Sequence, residues 1–400
     1  MENILERFLR YVRINTQSAA GQPQIPSTPG QFDLARLLVK ELQEMGLEAS
    51  VNENCYVYAT LPGNRPDAPV IGFISHLDTS PALSGADIHP RLVTYQGGDI
   101  ELGNGYALKL ETNPELKRYL GKTLVVTDGS TLLGSDDKSG IAEIMTMAQY
   151  FVEHPEQPHG TVKIAFTPDE EVGGGVDHFD VQGFGADFAY TLDGGALGSI
   201  DYENFNACSA VVEVKGLSIH PGSAKGKMKN ASLIAMEFHS MLPVFENPAF
   251  TEGYEGFYHL GSMEGDEERA VLRYILRDHD GDKLRQKKDT MVRIAAYLNA
   301  KWGEGTVNVT LKDSYRNMKE MLAPHMEIVE KARAAFEACG VTPRVQPIRG
   351  GTDGARLSYM GLLCPNLSTG GYNCHGRREL ITVQALEKMT EVLLEIVRKT

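Results

Sequence analysis

Cysteine is scarce in this 400-residue chain. Its five cysteines (Cys55, Cys208, Cys339, Cys364 and Cys374) are odd in number and scattered, with no CxxC pair. That excludes a disulfide scaffold and a cysteine-built zinc ribbon, and it suits a reducing cytoplasm, the expected location. Long apolar runs are missing too: no stretch approaches the ~20 uninterrupted apolar residues that a membrane-spanning helix needs. Positive charge is in deficit, with 39 Lys and Arg against 53 Asp and Glu and a net charge of -14. A chain of that sign has no general affinity for nucleic acid or anionic membranes. No GxGxxG fingerprint precedes His76, so the usual mark of a dinucleotide-binding fold is absent. The opening segment MENILERFLRYVRI intersperses charges among Ile4, Leu5, Phe8, Leu9 and Val12, which makes it an amphipathic helix rather than a secretory leader.

What is present is a globular composition, 42% apolar and 8% aromatic, at a length that more than one hydrophobic core must share. Amphipathic helices are expected over 2–13, 31–46 and 139–151, and buried strands over 55–61, 70–75, 123–127, 162–167 and 188–191. Such alternation predicts an α/β sheet covered by helices. From about residue 207 the order becomes βαββαβ, which predicts an inserted ferredoxin-like α+β domain. Helices over 324–339 and onward from a capping Thr382 then resume the first pattern. The expected organisation is a catalytic domain over 1–206 and 317–400, interrupted by a lid over 207–316.

Five residues have the chemistry of metal ligands: His76, Asp136, Glu171, Asp193 and His375. Four lie beside strand ends, in FISHLDTSP, LLGSDDKSG, FTPDEEVGG and YTLDGG, and the fifth lies in GGYNCHG. Two imidazoles and three carboxylates are too few for two separate four-ligand sites, but they suffice for two metals if one carboxylate is shared. Asp136 is the expected bridge, with His76 and Asp193 on one metal and Glu171 and His375 on the other. Asp78 lies two residues beyond His76 on the same strand face, where a carboxylate can orient the imidazole. Glu170, adjacent to Glu171, is the expected general base. Asp137 points elsewhere, and Cys374 is read as a near-surface or buried residue rather than a ligand. Imidazole with carboxylate suits two zinc ions, for which cobalt or manganese can substitute. The expected chemistry is hydrolysis by a metal-activated water.

These motifs, together with SIHPGSAKG and PIRGGTDGARLS, resemble the M20 metallopeptidases nearly end to end, and specifically the members that trim tripeptides. The resemblance implies a dizinc catalytic domain with an inserted lid, a cis peptide between Asp136 and Asp137, and short peptides with a free N-terminus as substrates. It implies that His220 stabilises the oxyanion and that Arg277 and Arg349 grip a substrate carboxylate. Lys225, Asn230, Thr352 and Asp353 are expected to line the same cleft. A monomer or a homodimer paired through the lid is compatible with it. A related dipeptidase or amino-acid deacylase would use the same metals with a different pocket, whereas a non-catalytic binding module would not retain all five ligands and the base.

Overall fold

The computed structural model describes residues 3–400. Two compact units emerge, the first running to Tyr202 and resuming over Glu320–Gln346 and Thr352–Thr400, the second comprising Glu203–Lys319 and Pro347–Gly351. Among the described residues, no helix is long and apolar enough to cross a membrane.

The first unit is built on a seven-stranded sheet ordered Glu48–Val51, Val57–Leu61, Val162–Thr167, Ile71–His76, Phe188–Leu192, Asn366–Leu367, Ile200–Asp201. Its four central strands are parallel, and the outer pairings are antiparallel. Ile71–His76 is buried at every position, as a parallel strand covered on both faces must be. Ile71, Phe73, Ile164 and Phe166 join a core with the helices Ile4–Val12, Gly30–Glu44, Ser135–Glu153, Met326–Ala338 and Val383–Lys399. Ile74, Ala165 and Ala189 pack with Val176, Phe179, Phe184 and Leu357 in a second cluster. The last helix begins where Thr382 Oγ1 accepts the Ala385 N–H at 3.0 Å, the cap expected from sequence.

Two local expectations change. The strand expected from residue 55 begins at Val57, because Cys55 takes a positive φ of 67° and closes a turn onto the Asn52 carbonyl. Thr123–Val126 does not enter the main sheet at all. It pairs antiparallel with Arg91–Thr94 and with Leu380–Thr382, in a four-stranded sheet that ends in Gly371–Tyr372. Leu124 and Val126 pack into a separate small core with Tyr95, Ile100, Leu116 and Leu380. This second sheet binds the segment after residue 370 to the chain that leads into Asp136.

The second unit orders its elements as strand Asn206–Lys215, helix Ala231–Ser240, strands Phe257–Gly265 and Arg269–Asp278, helix Gly281–Trp302 and strand Val307–Tyr315. The sheet is antiparallel throughout, with Arg269–Asp278 and Asn206–Lys215 in the middle. Cys208, Ala210, Val212 and Val214 alternate inward against Ile234, Phe238, Met291, Ile294 and Leu298 of the two helices. Pro347–Gly351 belongs to this unit although it follows residue 317: the Ile348 N–H donates to the Glu203 carbonyl at 2.9 Å, and His279 Nε2 lies 3.1 Å from the Ile348 carbonyl.

Candidate metal centre

The Ile71–His76 strand lies between Val162–Thr167 and Phe188–Leu192, parallel to both. All three end at the same edge of the sheet. His76 is the last residue of its strand, Asp193 immediately follows Phe188–Leu192, and Glu170 and Glu171 follow Val162–Thr167 in a short 3-10 turn. Carboxyl ends of adjacent parallel strands are where open α/β sheets bind ligands. Asp136 arrives from the start of helix Ser135–Glu153, behind Gly134 at φ 76°, a left-handed conformation that suits glycine. The Asp136-Asp137 peptide is cis, as the family resemblance implied. Asp137 turns inward, and its Oδ2 accepts the His76 N–H at 3.1 Å. His375 comes from the loop after Gly371–Tyr372, itself at φ 63°.

One carboxylate stands between two imidazoles. Asp136 Oδ1 lies 3.0 Å from His76 Nε2, and Asp136 Oδ2 lies 3.1 Å from His375 Nε2. Each imidazole has a second carboxylate of its own: Asp193 Oδ1 is 3.8 Å from His76 Nε2, and Glu171 Oε1 is 2.8 Å from His375 Nε2. Within 4.8 Å of one another, His76 offers a ligand atom together with Asp136 and Glu171, and again together with Glu170 and Asp193. The structure thus gathers all five candidate ligands and Glu170 into one metal-binding cluster. Its donors are imidazole nitrogens and carboxylate oxygens, a set that fits zinc, manganese or cobalt without a thiolate.

The electrostatics explain why such a cluster calls for cations. Burial, reinforced by Asp136, pushes the Asp193 carboxyl up to about 8. Burial and then Asp193 raise Glu170 well above the usual carboxylate range. Burial also raises Glu171, against its hydrogen bond with His375. Asp136 would be raised by burial, but hydrogen bonds from His375 and His76 reverse this and hold it low. His76 resists the lowering effect of burial because Asp136 and Asp78 stabilise its cation. Hydrogen bonds to Asp136 and Glu171 carry His375 up to about 10. Protons here do the work of neutralisation that metal cations would do.

Supporting residues hold this array. Asp78 is fully buried, with Oδ1 3.3 Å from His76 Nδ1. Its Oδ1 also accepts the Glu170 N–H at 3.0 Å, and its Oδ2 accepts the Glu171 N–H at 3.2 Å. Asp169, at φ 55°, accepts the Ser27 N–H at 2.6 Å and the Gln31 Nε2–H at 2.7 Å, which pins the turn before Glu170. Sequence reasoning missed Asp169 and the second role of Asp78. The only available signal was the acidic run itself, which does not say which carboxylate faces inward.

The remaining candidates divide by unit. In the first, Thr352 Oγ1 accepts the Ala355 N–H at 3.3 Å and so caps helix Asp353–Tyr359. Asp353 is buried and accepts the Thr167 hydroxyl at 2.8 Å, in a cleft that His76, Glu170 and Asp193 also line. Burial pushes its carboxyl up to about 6, against the Thr167 hydrogen bond. Both residues are occupied by the unit's own structure. In the second unit His220 and Lys225 are exposed, and the Asn230 side chain caps its helix by accepting the Leu233 N–H at 3.1 Å. Arg349 is similarly occupied. Its Nη1 donates to the carbonyls of Gly253 and Glu255 at 2.8 and 2.9 Å, its Nη2 donates to Thr251 Oγ1 at 2.9 Å, and Phe205 and Phe257 flank it. Arg277 donates through Nη1 to the Arg349 carbonyl at 3.0 Å, while its buried Nε has no partner.

The family model for peptidase family M20/M25/M40 matches residues 127–399. The chain belongs to this M20 family. It is similar over its whole length to a protein named peptidase T from Clostridium perfringens, at 56% identity over 401 residues, covering 100% of this chain and 99% of that protein. Two crystal structures share the M20 fold. The aminopeptidase PepT from Bacillus cereus has a TM-score of 0.78 at 22% identity, over 99% of this chain and 98% of that one. A tripeptidase from Staphylococcus aureus has a TM-score of 0.80 at 20% identity, over 99% of this chain and 97% of that one. The family and the metal-binding cluster together make this protein a metallopeptidase.

Proposed function

We propose that the protein is a cytoplasmic tripeptide aminopeptidase that uses two zinc ions, with cobalt or manganese able to substitute. The observation that carries this reading is Asp136, whose two oxygens face two different imidazoles, each backed by a further carboxylate. His76, Asp136 and Asp193 would hold one ion, and Asp136, Glu171 and His375 the other. Bound there, the ions supply an acidified water and polarise the peptide carbonyl. The peptidase reading is supported by the whole-length similarity to the Clostridium perfringens protein named peptidase T, and the tripeptide preference by the fold shared with the Staphylococcus aureus tripeptidase.

Glu170 is the general base. Its carboxyl is raised by burial and by Asp193, which matches a group that must take a proton from the attacking water and return it to the leaving amine. Asp78 keeps the base in register by binding its backbone N–H. Its backbone carbonyl, 3.0 Å from His76 Nδ1, together with its carboxylate at 3.3 Å keeps His76 in the tautomer that directs Nε2 to the centre. The second unit, with its βαββαβ order, is read as a ferredoxin-like lid. Its residues His220, Arg277, Lys225 and Asn230 carry the substrate-directed roles that the family resemblance implies, with His220 stabilising an oxyanion and Arg277 gripping the C-terminal carboxylate of the peptide. A grip on the far carboxylate selects length, because a substrate that leaves this charge unpaired binds poorly.

The test is a substrate panel on metal-reconstituted protein with metal content counted. The expected result is two metals per chain and release of the first residue from free-amine tripeptides ahead of dipeptides, tetrapeptides and N-acyl amino acids. Preference for dipeptides or N-acyl amino acids would replace this reading with that of a dipeptidase or deacylase.

A further inference from the structure

We infer that Glu379 is a positioning residue for the metal centre, locking the Asp136 loop to the segment that delivers His375. The inference rests on the two-metal reading above. Glu379 is only 1% exposed, yet it is no part of the donor set. Its Oε2 accepts the N–H groups of Leu133 and Gly134 at 2.7 and 3.0 Å. Its Oε1 accepts the Ser135 hydroxyl at 2.7 Å and the Asp136 N–H at 3.2 Å. One carboxylate therefore satisfies three backbone N–H groups and a hydroxyl across four consecutive residues, the last of which is the bridging aspartate itself.

The other end of this connection is His375, four residues before Glu379. The chain between them is short, and Leu380–Thr382 leaves it immediately to pair with Thr123–Val126, with Ile381 opposite Val125 and Thr382 opposite Leu124. Glu379 is thus held by a strand on one side and holds the Asp136 loop on the other. The consequence falls on the contact between Asp136 Oδ2 and His375 Nε2, the two groups proposed to share the second ion. A shared carboxylate serves both ions only if each oxygen is aimed, and a turn left with buried unpaired N–H groups would not keep that aim.

The chemistry of the bond set points to a sharp substitution. Glu379→Gln keeps the size but turns one acceptor oxygen into an NH₂ group, which opposes the Leu133 and Gly134 N–H groups in one orientation of the amide and the Asp136 N–H in the other. Zinc affinity is read by competition with a chromophoric chelator, alongside metal content and far-UV circular dichroism of the metal-free proteins. Expected is a folded variant that binds zinc about 10- to 100-fold more weakly than wild type. Ser135→Ala, which removes a single donor to the same carboxylate, should give a smaller loss in the same direction. Wild-type affinity in folded Glu379→Gln overturns the inference. If that variant does not fold, unchanged affinity in Ser135→Ala overturns it instead. The wild-type arm separates the two claims, since fewer than two metals there overturns the two-metal reading itself.

Discussion

Asp78 accepts the backbone N–H of Glu170 at 3.0 Å with the same carboxylate oxygen that faces the His76 imidazole at 3.3 Å. A metal ligand and the proposed base are therefore set by one buried group, although one ends a strand and the other lies in the turn after a neighbouring strand. Asp78→Asn keeps the volume but makes one of the two acceptor oxygens a donor, so it cannot serve the imidazole and both N–H groups together. The expected effect is a kcat about 10- to 100-fold lower. Steady-state kinetics on a tripeptide checks this, and an unchanged kcat would remove Asp78 from the mechanism.

Glu170→Gln should separate chemistry from metal binding. Glu170 is not among the five proposed ligands, and glutamine fills its place without accepting a proton. We expect kcat to fall by about 10²- to 10⁴-fold, with two metals retained per chain. Loss of a metal in this variant would make Glu170 a ligand and pass the base assignment to its neighbour Glu171.

Strand-end residues were the legible part of this site: His76, Glu171 and Asp193 sit beside apolar segments that do form buried strands, and His375 completes the ligand count. Asp136, also expected beside a strand end, instead opens helix Ser135–Glu153, because the apolar Leu132 and Leu133 before it lie in a loop. The residues that hold them were not legible. Glu379 acts through backbone groups about 245 positions away, and Asp78 through backbone groups about 92 away, and no periodicity records such bonds. The assignment of Thr123–Val126 to the main sheet failed for a related reason. Four apolar residues make a buried strand equally well in either sheet, and only the pairing with Leu380–Thr382 decides. The inserted βαββαβ unit was visible because its alternation is local, whereas the return of Pro347–Gly351 to it depends on long-range bonds to Glu203 and His279.

The metal-free protein should lose stability as pH rises. His375 is held up to about 10, against ~6.5 for a free imidazole. Its contribution is complete below ~6.5 and disappears as pH climbs through about 10. Asp193, raised to about 8 from ~3.9, contributes fully below ~3.9 and loses that contribution as pH rises through its folded value. Asp136 runs the other way, since its folded value is depressed; its contribution is already complete above the ordinary carboxylate range. Thermal melts in chelator should therefore shift downward from about pH 5 to 9. Added zinc displaces these protons, so the stabilisation it gives should grow over the same interval. A metal-free melting temperature that climbs from mildly acidic to neutral pH would contradict the arrangement.

Gly175 tests how tightly the turn after Glu171 is packed. A Cβ there would lie 2.1 Å from Asp353 Oδ1 and 2.5 Å from Oδ2, the oxygen that accepts the Thr167 hydroxyl. Gly175→Ala must displace Asp353 or the turn, at a cost of about 1–3 kcal/mol. Denaturant unfolding should register that loss, together with a lower kcat because the turn carries Glu170 and Glu171. Wild-type stability would mean that Asp353 has room to move.

Arg277 and Arg349 looked interchangeable as carboxylate grips, and their surroundings separate them. Arg349 spends Nη1 and Nη2 on Thr251, Gly253 and Glu255 between two aromatic rings, so its removal should loosen the loop and not the substrate. Arg349→Ala is expected to destabilise the protein by about 1–2 kcal/mol, the low end for charge-assisted bonds at a partly exposed site. It should leave the ratio of activity on free and amidated tripeptides as it is. Arg277 donates through Nη1 to the Arg349 carbonyl and lies over the Tyr315 ring at 5.8 Å, which leaves the Nη2 end of its fork for a carboxylate. Arg277→Ala should abolish the preference for a free C-terminus, chiefly through KM, because the lost contact is made in the bound substrate as well as in the transition state. If Arg277→Ala keeps that preference while Arg349→Ala loses it, the grip belongs to Arg349 and the loop it now holds must release it when substrate binds.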